Sequence, residues 1–121
     1  MQGRMVEGRR WAEEVLALED EIPPLVRARA YLVVGFAAVE QGDDDAVALL
    51  TEARALARAA GERWIEGHSL LVEGFLAPVW DNVAGGIELM WQGQRILREA
   101  GDEWGVGLSL TGLSSLFVLT G

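Results

Sequence analysis

The decapeptide "GERWIEGHSL" at residues 61–70 returns forty residues later as "GDEWGVGLSL" at residues 101–110. The similarity extends upstream, because "LVVGF" at 32–36 matches "LVEGF" at 71–75 at an offset of thirty-nine. A repeat period near forty residues is typical of arrays of helical hairpins. The sequence therefore predicts a structural unit that is built more than once.

Each unit is predicted to contain two helices. In the stretch 44–60, small and apolar residues recur every third or fourth position, which places them on one face of a helix, and charged residues take the other side. The stretch 83–100 repeats this pattern. No strand is predicted. The predicted helices span roughly residues 4–19, 24–41, 44–60, 62–77, 83–100 and 102–119.

Glycine and proline mark the predicted helix ends. Gly42, Gly61 and Gly101 each close an apolar run, where a helix commonly ends in a left-handed residue. The acidic residues that follow them are expected to cap the next helix. Pro78 is expected to stop or kink the fourth helix, because its ring clashes with a carbonyl of the preceding turn.

The chain resembles tetratricopeptide-type repeats, in which small residues let the two helices of a pair approach closely. It departs from that motif in its longer period and in having no proline at the end of the second helix. The resemblance implies an all-α fold of antiparallel helix hairpins stacked as a right-handed α-solenoid. One domain, 1–121, would hold helix pairs at roughly 4–41, 44–77 and 83–119. The positions matching the small-residue pattern are Gly35, Ala46 and Ala53, followed by Gly74, Gly86 and Gly93.

The "GERW" and "GDEW" openings, with "EGRRW" at 7–11, are similar to the helical-repeat regions of large bacterial transcription regulators. These are the LuxR-type regulators with an ATPase module and the related antibiotic-regulator families. The resemblance implies a non-catalytic module for protein–protein interaction or self-association within such a regulator. The alternative is a domain that senses a small-molecule effector, with a pocket near Trp80 and Trp91.

Composition excludes several classes of function. The formal net charge of −9 disfavours nucleic-acid binding, because the chain would repel phosphates. Without cysteine there is no disulfide, thiolate nucleophile or cysteine zinc site, which fits a cytoplasmic protein. All basic side chains are arginines, which suggests a high-GC bacterial source. The stretch 104–121 has no charge, but glycine, serine and threonine interrupt it, so we expect a buried helix rather than a membrane span.

The tryptophans and the single histidine are the candidate site residues. Trp64 and Trp104 occupy the same repeat position, so we interpret them as scaffold that buries a large ring between hairpins, with ligand stacking as the alternative. Trp80 and Trp91 do not recur and, with His68, form the candidate binding surface, although core packing or a self-contact is the favoured interpretation of the two tryptophans. We expect His68 to be a partly exposed polar residue. The sequence offers no nucleophile–base pair or ligand cluster, so no catalytic residue, metal or cofactor is predicted.

The last helix has no successor to cover its apolar side. Repeat arrays need a polar terminal face to stay soluble alone. We therefore expect self-association, most simply as a twofold homodimer through the C-terminal helix, with a protein or peptide as the other candidate partner. The residues predicted to form that contact are Val106, Leu110, Leu113 and Phe117.

Overall fold

The computed structural model describes residues 9–14, 16–18 and 22–120, and in these residues the fold is all-α without a strand. This confirms the predicted all-α class and the six helices, with the described helix ends within about three residues of the prediction. The outer parts of the first predicted helix lie outside the described residues. The helices are α1 at residues 9–14 and 16, α2 Pro24–Gln41, α3 Ala46–Ala60, α4 Arg63–Leu76, a 3₁₀ helix Ala77–Trp80, α5 Val83–Glu99 and α6 Glu103–Thr120.

Three helices end in the left-handed glycine that the sequence predicts. Gly42, Gly61 and Gly101 have φ angles of 73°, 72° and 78°. At each of them the glycine N–H donates to the carbonyl three residues earlier, and the next N–H donates to the carbonyl five residues earlier, over 2.8 to 3.2 Å. This pair of bonds is the Schellman motif, which satisfies carbonyls that the helix end leaves open. Pro78 also behaves as predicted, since α4 gives way to the 3₁₀ helix at Ala77.

The predicted acidic caps are mostly wrong. Only Asp102 caps its helix, accepting a 2.9 Å hydrogen bond from the Gly105 N–H. Asp45 and Glu62 precede α3 and α4 without a capping hydrogen bond from their side chains. Asp43 instead forms an ion pair with Arg9 of α1. Its carboxylate therefore makes a tertiary contact where the sequence predicted a helix cap.

The helices form two layers. Each helix from α2 to α5 packs against the next one along the chain, and α4 also contacts both α2 and α6. Helices α2, α4 and α6 therefore make one layer. Helices α3 and α5 lie on the same side of that layer, because residues from both line a single cleft.

Glycines allow close approach between the layers. A Cβ atom added at Gly35 would lie 2.7 Å from Leu50 Cδ2. One at Gly86 would lie 2.8 Å from the Gly74 carbonyl oxygen, and one at Gly93 would lie 2.9 Å from the Gly67 carbonyl oxygen. Ordinary contacts of a Cβ atom are 3.4 Å or longer, so α4 and α5 cross at a separation that only glycine permits. Ala46 and Ala53, the small residues of α3, are fully buried.

The same polar contact occurs twice between the layers. The Arg54 guanidinium donates to the Ser69 hydroxyl at 3.4 Å, and forty residues later the Gln94 amide donates to the Ser109 hydroxyl at 3.2 Å. Both serines are fully buried and donate back to a carbonyl three residues earlier. The sequence repeat is thus accompanied by a repeat of this polar contact. The largest apolar core cluster of the described residues contains Leu71, Met90, Leu97, Leu113 and Leu116.

Helix α6 differs from the predicted buried helix. Leu113 and Leu116 on one side are buried in the core, but Leu110, Phe117 and Val118 are exposed. Nowhere in the described part of the chain is there a helix of the length and apolarity needed to cross a membrane.

Candidate binding site on the layer of helices α2, α4 and α6

Large apolar side chains are exposed mainly on one layer of the protein. Within the described residues, α3 exposes none and α5 exposes only Trp91, while α2, α4 and α6 expose most of them. We call this set the apolar face. Exposed apolar surface of this extent commonly marks a contact site. The members of the apolar face are Val26, Val33 and Phe36 on α2, Trp64 and Phe75 on α4, and Trp104, Leu110, Phe117, Val118 and Leu119 on α6.

Two members of the apolar face enclose the only histidine. The His68 ring lies 4.2 Å from the Trp64 ring, centroid to centroid, and 5.7 Å from the Trp104 ring, which is stacked on it at 28°. We call these three residues the aromatic row. The predictions that His68 is partly exposed and that Trp64 and Trp104 bury their rings are wrong. His68 is only 6% exposed, whereas Trp64 and Trp104 are 45% and 68% exposed, because the smaller ring fills the gap between α4 and α6 and the indoles border it.

Asp102 fixes the histidine in this position. The His68 Nε2 atom lies 2.9 Å from Asp102 Oδ2, while the other Asp102 oxygen accepts the N–H of Gly105 at the start of α6. The Gly105 N–H, followed by the hydrogen bond with His68, holds the pKa of Asp102 below its usual value. The carboxylate therefore serves as helix cap and as anchor of the aromatic row together.

The structure does not assemble the predicted surface of His68, Trp80 and Trp91. The ring contacts of His68 are with Trp64 and Trp104. Trp80 ends the 3₁₀ helix beyond α4, and Trp91 is exposed on α5. One sequence signal indicated the observed arrangement: the two tryptophans of the aromatic row share one repeat position.

The predicted self-association residues divide into two groups. Leu113 is 3% exposed and belongs to the core, and Val106 packs against that core. The prediction of Leu113 as a contact residue is therefore wrong, whereas Val106 is only partly buried. Leu110 and Phe117 are each 49% exposed and remain part of the apolar face.

An open cavity of about 470 Å³ lies between α2 and α4, beside the aromatic row. It has the size of a small-molecule pocket. Apolar side chains form most of it, and one cation and one carboxylate are the exceptions. Its lining residues are Arg29, Leu32, Val33, Glu62, Trp64 and Ile65.

A second cleft, of about 560 Å³, lies between α3 and α5 and is charged. Arg58 and Arg63 there form ion pairs with Glu66 and Glu99 respectively. Arg95 also lines this cleft. The carboxylates offset most of the positive charge, so this cleft presents a mixed charged surface rather than an anion site.

Across residues 9–14, 16–18 and 22–120, no three side chains of the metal-binding types come together. The Asp43–Asp45 run is engaged with Arg9, through Asp43 and Asp45. Comparison with known proteins gives no family: no family model, no curated protein and no solved structure matches this chain.

Proposed function

We propose that the chain is a non-catalytic, tetratricopeptide-like helical-repeat module that binds protein through its apolar face. Its helix pairs would stack as a right-handed α-solenoid, and the module would be the regulatory repeat part of a larger bacterial cytoplasmic regulator. The observation that carries this proposal is the asymmetry between the layers. The α2, α4 and α6 layer exposes many large apolar side chains, and the α3 and α5 layer exposes one.

The use of the single histidine supports a binding role over a catalytic one. His68 is buried between two indole rings, and its Nε2 atom is held by Asp102. A general base must reach the proton that it removes from a substrate. The His68 ring is only 6% exposed and is packed between two indole rings, which leaves a substrate little access to it.

The partner that the structure supports best is a second copy of the chain, bound through α6. Two chains of charge −9 repel each other except where a surface lacks charge. Helix α6 has one charged residue, Glu103 in its first turn, and its exposed residues beyond that turn are uncharged. They include Leu110, Phe117, Val118 and Leu119, interspersed with serine and threonine. A twofold contact between two such helices would cover Leu110 and Phe117 on both copies at once.

Light scattering coupled to size exclusion tests this contact. We expect a dimer at micromolar concentration, and Phe117→Glu should give a monomer with unchanged helical circular dichroism. The control is Trp91→Glu, which places the same charge on an exposed aromatic residue of the opposite layer and should leave the dimer intact. A wild-type monomer at high micromolar concentration would refute the dimer.

The parent protein is a separate part of the proposal, tested by reading the gene on both sides of this segment. An ATPase module upstream or a helix-turn-helix domain downstream would support a regulator. A catalytic domain in the same frame would contradict it.

A small-molecule effector sensor is the second candidate function. The cavity between α2 and α4 favours it, because that cavity is apolar and of the right volume. It lies beside Trp64 rather than beside Trp80 and Trp91, where the sequence placed the pocket. Effector screening by thermal shift would support this candidate if a compound raised the melting temperature and Trp64→Ala abolished the rise.

A further inference from the structure

The cavity beside Trp64 and the space filled by His68 occupy equivalent positions in two successive helix pairs. The offset of thirty-nine that relates "LVVGF" to "LVEGF" places Arg29 of α2 at the position of His68 in α4. The offset of forty that relates the decapeptides places Glu62 and Trp64 at the positions of Asp102 and Trp104. The contact of α2 with α4 thus repeats the contact of α4 with α6.

Between α4 and α6 the position is filled. The imidazole of His68 stacks on Trp104 and its Nε2 atom is hydrogen-bonded to Asp102 at 2.9 Å. The protein therefore shows which chemical group fits this position: a flat ring against an indole, with a ring nitrogen directed at a carboxylate.

Between α2 and α4 the same position is open. Arg29 lines the cavity there, but it is exposed and has no hydrogen bond or ion pair with another described residue. The Glu62 carboxylate caps nothing and accepts no hydrogen bond from the described residues. The cavity of about 470 Å³ lies between them, with Trp64 as its aromatic wall.

We propose that this cavity binds a small molecule with a flat nitrogen heterocycle, which stacks on Trp64 and donates an N–H hydrogen bond to Glu62. The bound ring extends the aromatic row by one member, on the side of Trp64 toward α2. Leu32, Val33 and Ile65 provide apolar contacts for the remainder of the ring system. The inference rests on the second candidate function, whose ligand class it names, and does not depend on the protein-binding function, because the cavity does not involve the dimer residues of α6.

Benzimidazole is a suitable probe, because it is flat, matches the imidazole of His68 and donates an N–H hydrogen bond. Titration at about pH 8, followed by the indole N–H signals in NMR, should shift the Trp64 signal, which Trp64→Phe identifies. N-methylbenzimidazole has the same shape without the donor and should bind about tenfold more weakly. N-acetylhistidinamide tests whether a ring carried by a polypeptide also enters: competition with benzimidazole would extend the source from small molecules to a partner's histidine.

Two pairs of variants test the assigned residues. Glu62→Ala should weaken benzimidazole binding about tenfold, while Glu103→Ala, which removes an exposed carboxylate from the first turn of α6, should leave it unchanged. Arg29→His should place an imidazole in the cavity, raise the melting temperature and abolish probe binding. Arg29→Ala should leave the cavity open and preserve binding.

The outcomes separate clearly. If Arg29→His loses benzimidazole binding and Arg29→Ala retains it, the result supports the site, because the imidazole of the histidine would fill the cavity and the alanine side chain would not. Equal binding by both variants, equal affinity for the two benzimidazoles, or no shift of the Trp64 signal at millimolar probe would overturn the proposal. Phe117→Glu should bind benzimidazole as the wild type does, so failure of the dimer and failure of this site are distinguishable.

Discussion

Gly93→Ala offers a direct test of how closely α4 and α5 approach. The new Cβ atom would lie 2.8 Å from Leu71 Cδ2 and 2.9 Å from the Gly67 carbonyl oxygen. The leucine methyl can turn aside, but the carbonyl belongs to the backbone of α4. Restoring an ordinary contact of 3.4 Å requires the two helices to separate by about half an ångström, which weakens the surrounding dispersion contacts.

The magnitude follows from two opposing contributions. Replacing glycine by alanine inside a helix stabilises by about 1 kcal/mol through backbone entropy alone. Overpacking a close contact costs about 1–3 kcal/mol. Gly107→Ala isolates the first contribution, because Gly107 is an exposed position in α6 where an added Cβ atom meets nothing within 4 Å.

Urea unfolding of both variants at one protein concentration measures the difference. We expect Gly107→Ala to be more stable than Gly93→Ala by about 1–3 kcal/mol, or about 3–10 °C in melting temperature for a chain of this size. Gly93→Leu should lose at least about 2 kcal/mol relative to wild type. Equal stability of the two alanine variants would show that α4 and α5 are not in close contact at Gly93.

Three further predictions concern polar and buried positions. Because the pKa of Asp102 is lowered in the folded state, its ionised form stabilises the fold above about pH 4. This contribution disappears as the pH falls through the folded-state pKa. The difference in unfolding free energy between wild type and Asp102→Asn should therefore shrink at acid pH. Leu113→Glu should lower the unfolding free energy by at least about 3 kcal/mol and reduce the helical circular dichroism, because its carboxylate would be buried. Leu110→Glu should retain the helical circular dichroism, because Leu110 is half exposed. Glu73→Ala should cost about 1–3 kcal/mol in thermal unfolding, because Arg54 loses a carboxylate at 2.8 Å in a mostly buried pair; an unchanged stability would show that the pair is solvated.

The helices and their ends could be predicted from sequence because local signals determine them. The 3.6-residue period defines α3 and α5, and the left-handed glycines at 42, 61 and 101 end the helices before them. Capping could not be predicted in the same way, because Asp43 has two possible partners. The capping partner is a neighbouring backbone N–H, and the other partner is Arg9, whose position depends on how α1 packs against the remainder of the chain.

Exposure of the apolar residues also depends on packing rather than on pattern. Helix α6 has apolar residues around most of its circumference, so periodicity cannot say which of them face the core. Leu113 and Leu110 are three residues apart and looked equivalent in sequence, yet the first is buried and the second is half exposed. The contacts of α6 with α4 and α5 determine that difference.

The offset of forty alone does not predict the aromatic row. An offset of forty pairs His68 with Leu108, which makes the histidine look like an isolated departure from the repeat. Its counterpart is Arg29, at thirty-nine, and one residue of difference turns a helical side chain by about 100°. A contact between two helices depends on which residues of each helix face the other. The equivalence of Arg29 with His68 can therefore be recognised only when α2, α4 and α6 are known to be neighbours. The same neighbour relation makes the open cavity interpretable, because the filled position beside Trp104 shows what the position beside Trp64 would accommodate.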